Sequence, residues 1–593
     1  VATVQIGRGG GPIPPLVKID EAIRLGSFVL IAGWATAEAE FGLLAGGQEL
    51  EVRELRVARA DVAAHFGLDS GDGLGIVLAT ECPTGRPIRL SWPWDGQSGR
   101  SGELTLSPPS GIESLGARER ALFGPALGML ALAYQPFSEQ WRWCIRQLEP
   151  SAAPCPAARG HLEGAAAVER TRSGVVYGWV VHTPSTTAWL EDDSGHMYLL
   201  DDGYRHFRQD VHAAVGHAFA HGSGEAGFVI HLQGLKPGSR VQLKAIAETG
   251  VHVLHEIPCS VLPVDPVGAA RMLFGIGTGI ADLHRRIPLV DAPIIGPLIA
   301  HHREILAELP VQSRVLGQPP ARPTVSIIVP LYGRADFVEH QLIELVRDPW
   351  FGAQAELIYV LDDPGLVESF VTDAESLYRL YGLPFRWVWG SVNRGFAGAN
   401  NLGAGVAKGD HLLFLNSDAF PQGPGWLEAL VGVLASRSDI GAVGPRLLFA
   451  DGSIQHAGME FMRREELGIW VNHHPLMGLD PSLDRYDDLS VVPAVTGACL
   501  AVRRADFERV GGWDTGYLIG DFEDSDLCLK LGVLGLKSAY LPTVQLTHLE
   551  RQSFKLLGQD QFRFRTVVYN AIRHQERWAK QLNLSTRDQD DER

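Results

Sequence analysis

A chain of 593 residues, 45% apolar and 20% charged, has ample material for buried cores and length for three or four domains. Its formal charge of −17 excludes a general nucleic-acid binder, which needs a basic face. Six scattered cysteines without a C-x-x-C pair, no signal-like N-terminus and no long uninterrupted apolar run point to a protein without disulfides or membrane spans, expected in the cytoplasm.

The first half carries a diverged internal repeat. Gly33-Trp34 returns as Gly178-Trp179, Arg59–Ala64 is echoed by Arg208–Ala214, and Gly75–Leu78 by Gly227–Ile230. The order is conserved between the copies and the offsets grow slowly, so two copies of one module are expected, over 1–112 and 161–262. Short β-type runs broken by Gly, Asp, Ser and Pro (Ser27–Ile31, Leu50–Val57, Ile88–Trp92; Val175–Val181, His196–Leu200, Arg240–Ile246) predict sandwich-like modules. Helical linkers are predicted at 113–160, chiefly Ser114–Leu148, and at 263–322. The second linker contains Gly275-Ile276-Gly277-Thr278-Gly279, which lacks the preceding strand of a dinucleotide loop and reads as a turn. Trp34 and Trp179 read either as core residues or as platforms for sugar rings.

Beyond the stiff Gly317–Pro323 boundary the texture changes. Val325–Val329 is a β-branched run suited to a strand buried on both faces. Helix, strand and helix then alternate: Ala335–Val346, Leu357–Leu361, Gly365–Tyr381, Phe385–Val388, Ala397–Ala407, His411–Leu415 and Gly425–Ser436. Alternation of this kind predicts an α/β domain with a mostly parallel, Rossmann-like sheet over 323–593, ending in a helical tail. Ligands of such sheets bind beyond the carboxyl ends of the strands.

Asp362-Asp363 follows one predicted strand and Asn416-Ser417-Asp418 another. Each alone reads as turn or helix-cap residues, but two acidic clusters at one sheet edge suit a hard divalent cation, Mg²⁺ or Mn²⁺, bound together with phosphate oxygens. Between them, Asn393–Asn401 is rich in small residues and opens a helix, as a backbone that approaches an anion would. Asp521, Glu523, Asp524 and Asp526 crowd the start of another helix, more acid than a cap requires, and such crowding raises the pKa of a general base. His548 follows the strand predicted at Ala539–Leu546.

Eight signals in this order resemble the family 2 glycosyltransferases of GT-A fold, in a bacterial rhamnosyltransferase-like branch: Val325–Pro330, Asp362-Asp363, Asn393–Gly398, Leu415–Asp418, Thr496–Cys499, Gly511–Asp514, Phe522–Leu527 and His548. The resemblance implies an inverting transfer of a sugar from a nucleotide-sugar donor to a hydroxyl of a glycan or lipid-linked glycan in surface polysaccharide synthesis. It implies Asp524 as catalytic base with Glu523 beside it, and Asp418 and His548 as metal ligands. It implies a donor site of Pro330, Tyr332, Asp362, Asp363, Asn393, Gly395, Phe396, Asn400 and Ser417. Trp470, Trp513 and Asp514 are expected at the acceptor, as are His473 and His474 of the Phe461–Leu489 segment. Two positions depart from the family: Asn416 replaces the first acid of the D-x-D motif, and Leu331 replaces the usual Thr or Ser.

Two other readings stay open. A sugar-phosphate nucleotidyltransferase would need a glycine-rich loop after the first strand, where Pro330–Arg334 has one glycine. A non-catalytic glycan-binding scaffold would tolerate the degenerate D-x-D motif. The N-terminal modules are expected to bind acceptor or to mediate homo-oligomer assembly, and a peripheral attachment at the inner membrane fits a lipid-linked acceptor.

Overall fold

The computed structural model describes residues 17–25, 28–35, 41–45, 47–57, 62–64, 75–81, 88–94, 97–104, 117–215, 219, 224–549 and 560–591. The chain divides into one unit of residues 1–166 and 176–260 and a second of 167–175 and 261–593.

The first unit contains the two copies, apart from residues 167–175. In the first copy the strands are β1 (Val17–Leu25), β2 (Phe28–Ala35), β3 (Gly42–Ala45), β4 (Gln48–Leu50), β5 (Arg53–Val57), β6 (Gly75–Glu81), β7 (Ile88–Trp94) and β8 (Gln97–Leu104). In the second they are β9 (Ala158–Val168), β10 (Ser173–His182), β11 (Thr187–Asp192), β12 (Met197–Leu199), β13 (Tyr204–His206), β14 (Gly227–Gln233), β15 (Arg240–Ala247) and β16 (Gly250–Pro258). The sheets are β1-β2-β6-β5 and β4-β3-β7-β8 in one copy; in the other they are β12-β11-β15-β16 and a five-stranded sheet that contains β13-β14-β10-β9. The two orders are the same. The recurring glycine has a physical cause. A Cβ on Gly33 would meet the Lys18 carbonyl oxygen at 2.2 Å, and one on Gly178 the His161 carbonyl oxygen at 2.1 Å, so only glycine lets the neighbouring strand approach. Of the Arg59–Ala64 echo, residues 59–61 lie outside the described residues, as do Cys82 and the expected boundary at 112–113.

The predicted Ser114–Leu148 helix is two helices, Ala117–Ala133 and Glu139–Gln147. Pro136 has no N–H to continue the first, and the Ser138 hydroxyl accepts from the Trp141 N–H at 3.2 Å to start the second. These helices are more than a linker. Phe123, Leu127, Leu130 and Trp141 share a core with Leu30 and Val77 of one copy and Trp189 and Val251 of the other. Trp179 packs at the edge of a small cluster of Val181, Val211, Phe219 and Ala226.

In the second unit the 263–322 segment, expected as a linker, folds into the C-terminal body. After β17 (Ser260–Val261) come helices Pro266–Phe274 and Ala292–Glu308, then β18 (Gln312–Leu316). The Gly275–Gly279 loop is a collar for guanidinium groups. Arg286 Nη1 donates to the Ile276 carbonyl (2.8 Å), and Arg565 donates to the carbonyls of Ile276 (3.0 Å) and Thr278 (3.3 Å).

The remaining strands are β19 (Val325–Leu331), β20 (Ala355–Leu361), β21 (Phe385–Trp389), β22 (His411–Leu415), β23 (Ala419–Pro421), β24 (Ile440–Leu448), β25 (Ile454–His456), β26 (Glu460–Arg464), β27 (Ile469–His473), β28 (Ser490–Val492), β29 (Cys499–Arg503) and β30 (Lys537–His548). The main sheet runs β18-β21-β20-β19-β22-β29-β24-β30-β23. From β21 to β22 the neighbours are parallel, and β29 then enters antiparallel. The apolar run of β19 is buried on both faces, as its composition predicts. With β19 aligned so that Leu331 faces Leu361 and Ile328 faces Phe414, the carboxyl ends of β19, β20 and β22 open on one edge.

Candidate active site

Asp362 stands at that edge, directly after β20, and is 4% exposed. Its Oδ1 accepts from the Arg394 N–H at 2.7 Å, and its carbonyl accepts from Asn393 Nδ2 at 2.7 Å. Burial pushes its carboxyl up to about 7, against the opposing pull of the Arg394 and Gly395 N–H groups. Gly395 has φ +69°, which suits glycine and starts the helix Gly395–Val406 with its amides turned to this carboxylate. Asp363 caps the next helix through the Gly365 N–H (2.8 Å) and holds the Gly333 N–H (3.0 Å), so it fastens the loop after β19. Pro330, next to last in β19, is half-buried, and Tyr332 just beyond the strand is exposed.

Asp418 lies past the end of β22 and is brought to His548 by the pairing of β23 with β30. Asp418 Oδ1 is 3.1 Å from His548 Nε2. His548 Nδ1 donates to Gln455 Oε1 at 2.6 Å, which leaves Nε2 facing Asp418 and the Asn416 amide, 3.2 Å away. A ring nitrogen oriented by its second hydrogen bond beside a carboxylate is a suitable pair of cation ligands. Among the described residues no group of three or more His, Cys, Asp or Glu side chains forms a complete cage. A cation held by Asp418 and His548 would complete its shell with substrate oxygens and water, as Mg²⁺ commonly does. Asn416, in place of a carboxylate, serves here as a hydrogen-bond donor to the histidine.

Asp524 opens the helix Glu523–Val533. Its Oδ2 accepts from the Gly497 N–H (3.1 Å) and its Oδ1 from the Ser525 N–H (2.8 Å). Burial raises its carboxyl above the usual range, opposed by those two amides and the Thr496 hydroxyl. Glu523 beside it is 4% exposed and is pushed well above the ordinary range by burial and the neighbouring carboxylates. Asp526, the last of the crowded acids, turns inward to Tyr517 (3.1 Å) and Trp578 (2.8 Å).

The cation pair and Asp524 are joined by a closed circuit of contacts. Gln455 holds His548, and the adjacent His456 Nε2 accepts from the Thr496 N–H at 3.4 Å. Thr496 and Gly497 hold Asp524, and the Ala498 carbonyl accepts from the Asn416 N–H at 2.9 Å, two residues before Asp418. Thr496 belongs to one of the eight ordered signals, whereas Gln455 and His456 carry no recognisable sequence signal for this arrangement.

Three of the residues expected at the acceptor, Trp513, Trp470 and Asp514, are engaged within the fold. Trp513 is 2% exposed, with its ring edge-on to Phe396 (5.3 Å) and Phe414 (4.9 Å) and its backbone N–H and C=O both clasped by Asn401. Trp470 is buried in β27, where its N–H donates to Gln575 (3.1 Å) of the C-terminal helix Asp560–Asp591. Asp514 pairs with Arg303 (2.5 Å), Arg573 (3.0 Å) and Arg577; burial would raise it, but Arg573, the Gly516 N–H and the other two arginines hold it at about 2. Of the donor residues, Asn400 is fully buried and donates to the Phe396 carbonyl (3.0 Å), while Phe396 and Ser417 are half-buried.

Residues 326–511 match the sequence model of the family described as Glycosyl transferase family 2. The chain is 30% identical over 258 residues to an O-antigen biosynthesis protein, RfbC, of Myxococcus xanthus, covering 42% of this chain and 19% of that protein. It is 27% identical over 212 residues to the N-acetylglucosaminyl-diphospho-decaprenol L-rhamnosyltransferase of Mycobacterium tuberculosis, covering 33% of this chain and 67% of that enzyme. A structure of GalNAc-T7 with UDP, GalNAc and Mn²⁺ superposes with a TM-score of 0.33 at 18% identity, over 39% of this chain and 45% of that one. The chain thus spans a fifth of the length of the Myxococcus relative.

Proposed function

We propose that this chain, whose C-terminal region is a family 2 glycosyltransferase domain of the rhamnosyltransferase-like branch, moves a sugar from a nucleotide-sugar donor to a hydroxyl of a glycan or lipid-linked glycan in polysaccharide synthesis. The circuit that joins Asp418 and His548 to Asp524 carries the reading. In it Asp524, its pKa raised by burial, takes the acceptor hydroxyl proton as that oxygen attacks the anomeric carbon. The nucleoside diphosphate leaves from the opposite face, and the anomeric centre inverts. Asp418 and His548 hold a divalent cation, which when bound offsets charge on the departing diphosphate. Asp362, with the loop after β19, receives the nucleoside.

Among the described residues no helix is long and apolar enough to cross a membrane. We assign the chain to the cytoplasm, peripheral to the inner membrane where the acceptor is lipid-linked, with the N-terminal modules binding acceptor or joining copies of the chain.

The Asn416 amide in a carboxylate position favours one second reading, a glycan-binding scaffold that no longer turns over donor. A screen of uridine, thymidine and guanosine diphosphate sugars, with Mn²⁺ or Mg²⁺ and with chelator, separates the two. Cation-dependent release of nucleoside diphosphate that Asp524→Ala abolishes supports the transferase; no release from any donor by wild type overturns it.

A further inference from the structure

Gln455 and His456 close the short strand β25, at 5% and 1% exposure. Buried polar side chains persist where their hydrogen bonds are made, and here each reaches a different segment of the candidate site. Gln455 Oε1 takes the His548 Nδ1 proton at 2.6 Å, and Gln455 Nε2 returns to the His548 carbonyl at 3.4 Å. His456 Nε2 takes the Thr496 N–H, and Thr496 with Gly497 holds the Asp524 carboxylate.

We propose that Gln455 and His456 are a pair of positioning residues, Gln455 setting the ring of His548 at the cation end and His456 setting the Thr496–Gly497 turn at the base end. The inference rests on the glycosyltransferase reading above and names residues through which that site is held.

The proton arrangement follows from the partners. With Nε2 occupied by the Thr496 N–H, the neutral ring of His456 carries its proton on Nδ1 and donates to His474 Nδ1, 3.1 Å away. Burial, with His474 and His548 adjacent, keeps His456 well below its usual pKa and so in this neutral form. An apolar residue at 456 would leave the Thr496 N–H without its acceptor and free the turn to move away from Asp524. Gln455 acts in the manner of a residue that orients a ligating histidine. Because both sit on one strand, the distance between cation and base is set by backbone geometry, which a loop would leave adjustable.

The experiment measures nucleoside diphosphate release from the most active donor of the panel, against pH and against Mn²⁺, in the full chain. His456→Asn, too short to reach Thr496, is expected to lower kcat about 10–100-fold with little change in donor KM. It should also move the acid limb of kcat/KM to higher pH, because the Gly497 and Thr496 hydrogen bonds lower the pKa of Asp524. His456→Gln, whose amide oxygen can stand where Nε2 stood, should recover part of both. Gln455→Leu should weaken Mn²⁺ binding, titrated by calorimetry without donor, about 10–100-fold, raise the Mn²⁺ needed for half-activity to match, and leave the acid limb in place. Variants with wild-type kcat, acid limb and Mn²⁺ requirement per folded molecule would overturn the proposal while leaving the transferase reading intact. Absence of turnover by wild type with every donor would instead overturn that reading, and this inference with it.

Discussion

Asp418 reaches His548 at 3.1 Å because β23 and β30 run antiparallel with Ala419 directly opposite His548. The pair is thus built at the sheet edge, with His548 in the ladder and Asp418 one residue before it. With Asp418 and His548 as the proposed ligands, and no group of three or more such side chains among the described residues, loss of one should weaken the cation strongly. His548→Ala is expected to raise the Mn²⁺ or Mg²⁺ concentration for half-maximal donor turnover about 10–100-fold, with saturating cation restoring part of the rate. Metal titrations of the two proteins check it, and an unchanged requirement would remove His548 from the site.

Asp524 is held by two backbone N–H groups, both of which an asparagine oxygen can accept only in part. Asp524→Asn keeps size and loses proton affinity. Transfer to acceptor should fall about 10²–10⁴-fold, with donor affinity changed by no more than about threefold. Comparing single-turnover rates with donor binding by calorimetry tests this. A parallel fall in both would mean that Asp524 shapes the donor pocket and is not the base.

The repeat makes its own prediction. Gly33→Ala and Gly178→Ala each place a methyl carbon about 2 Å from a neighbouring carbonyl oxygen, in β2 and β10 respectively. Each should destabilise the first unit by about 1–3 kcal/mol, since the strands must part to admit it. Thermal unfolding of the full chain should show the two substitutions lowering the same transition by similar amounts. If only one of them does, the two copies do not share this contact in solution.

Much of the C-terminal domain was legible because its chemistry is local. The run Val325–Leu331 announces a doubly buried strand, and Asp362, Asn393 and Asn416 follow strand ends that composition alone locates. The acid crowding at Glu523–Asp526 likewise marks a helix start and a raised carboxyl. What was not legible depends on partners distant in sequence. Asp514 looks like an exposed acid until Arg303, Arg573 and Arg577 arrive from helices on either side of it in the chain. Nothing near Trp513 and Trp470 in sequence shows that Asn401 and Gln575 will bond their backbone groups or that their rings will be buried. Gln455 and His456 read as an ordinary polar pair, because nothing nearby in sequence shows that His548 and Thr496 will meet them.

Asp362 gives a pH-dependent outcome whose sign can be worked out. Its carboxyl titrates near 7 in the fold and in the ordinary carboxylate range when unfolded. Between those two values the native chain holds a proton that the unfolded chain has released, so stability falls as pH rises to about 7 and is level above it. Asp362→Asn removes this penalty and keeps an oxygen for the Arg394 N–H. The variant should gain about 4 kcal/mol over wild type at pH 8 and progressively less toward pH 4, read from denaturation midpoints. If the carboxylate also receives the nucleoside, the same variant should bind donor more weakly at pH 8. A more stable variant with unaltered donor affinity would place the nucleoside elsewhere.

The turn that delivers Asp524 is strained. Ile519, Asp521 and Phe522 have φ of 65°, 80° and 75°, a left-handed region that side chains other than glycine seldom occupy. Each such residue costs about 1–3 kcal/mol and persists only where surroundings hold it. Here the holder is Asn570 of the C-terminal helix, fully buried, whose Nδ2 donates to the carbonyls of Leu518 (3.0 Å) and Gly520 (2.7 Å) while its Oδ1 accepts from the Leu518 N–H (2.9 Å). Asn570→Ala removes these bonds, with the longer one from Nδ2 to the Asp521 carbonyl (3.5 Å), and lets the turn relax toward ordinary backbone angles. The expected result is a loss of about 3 kcal/mol in stability, together with a kcat reduced beyond what the unfolded fraction explains. The two effects separate by measuring kcat at a temperature where circular dichroism shows the variant fully folded. A folded variant with wild-type kcat would mean that the strained turn holds its shape without Asn570, and that the C-terminal helix has no part in placing the base.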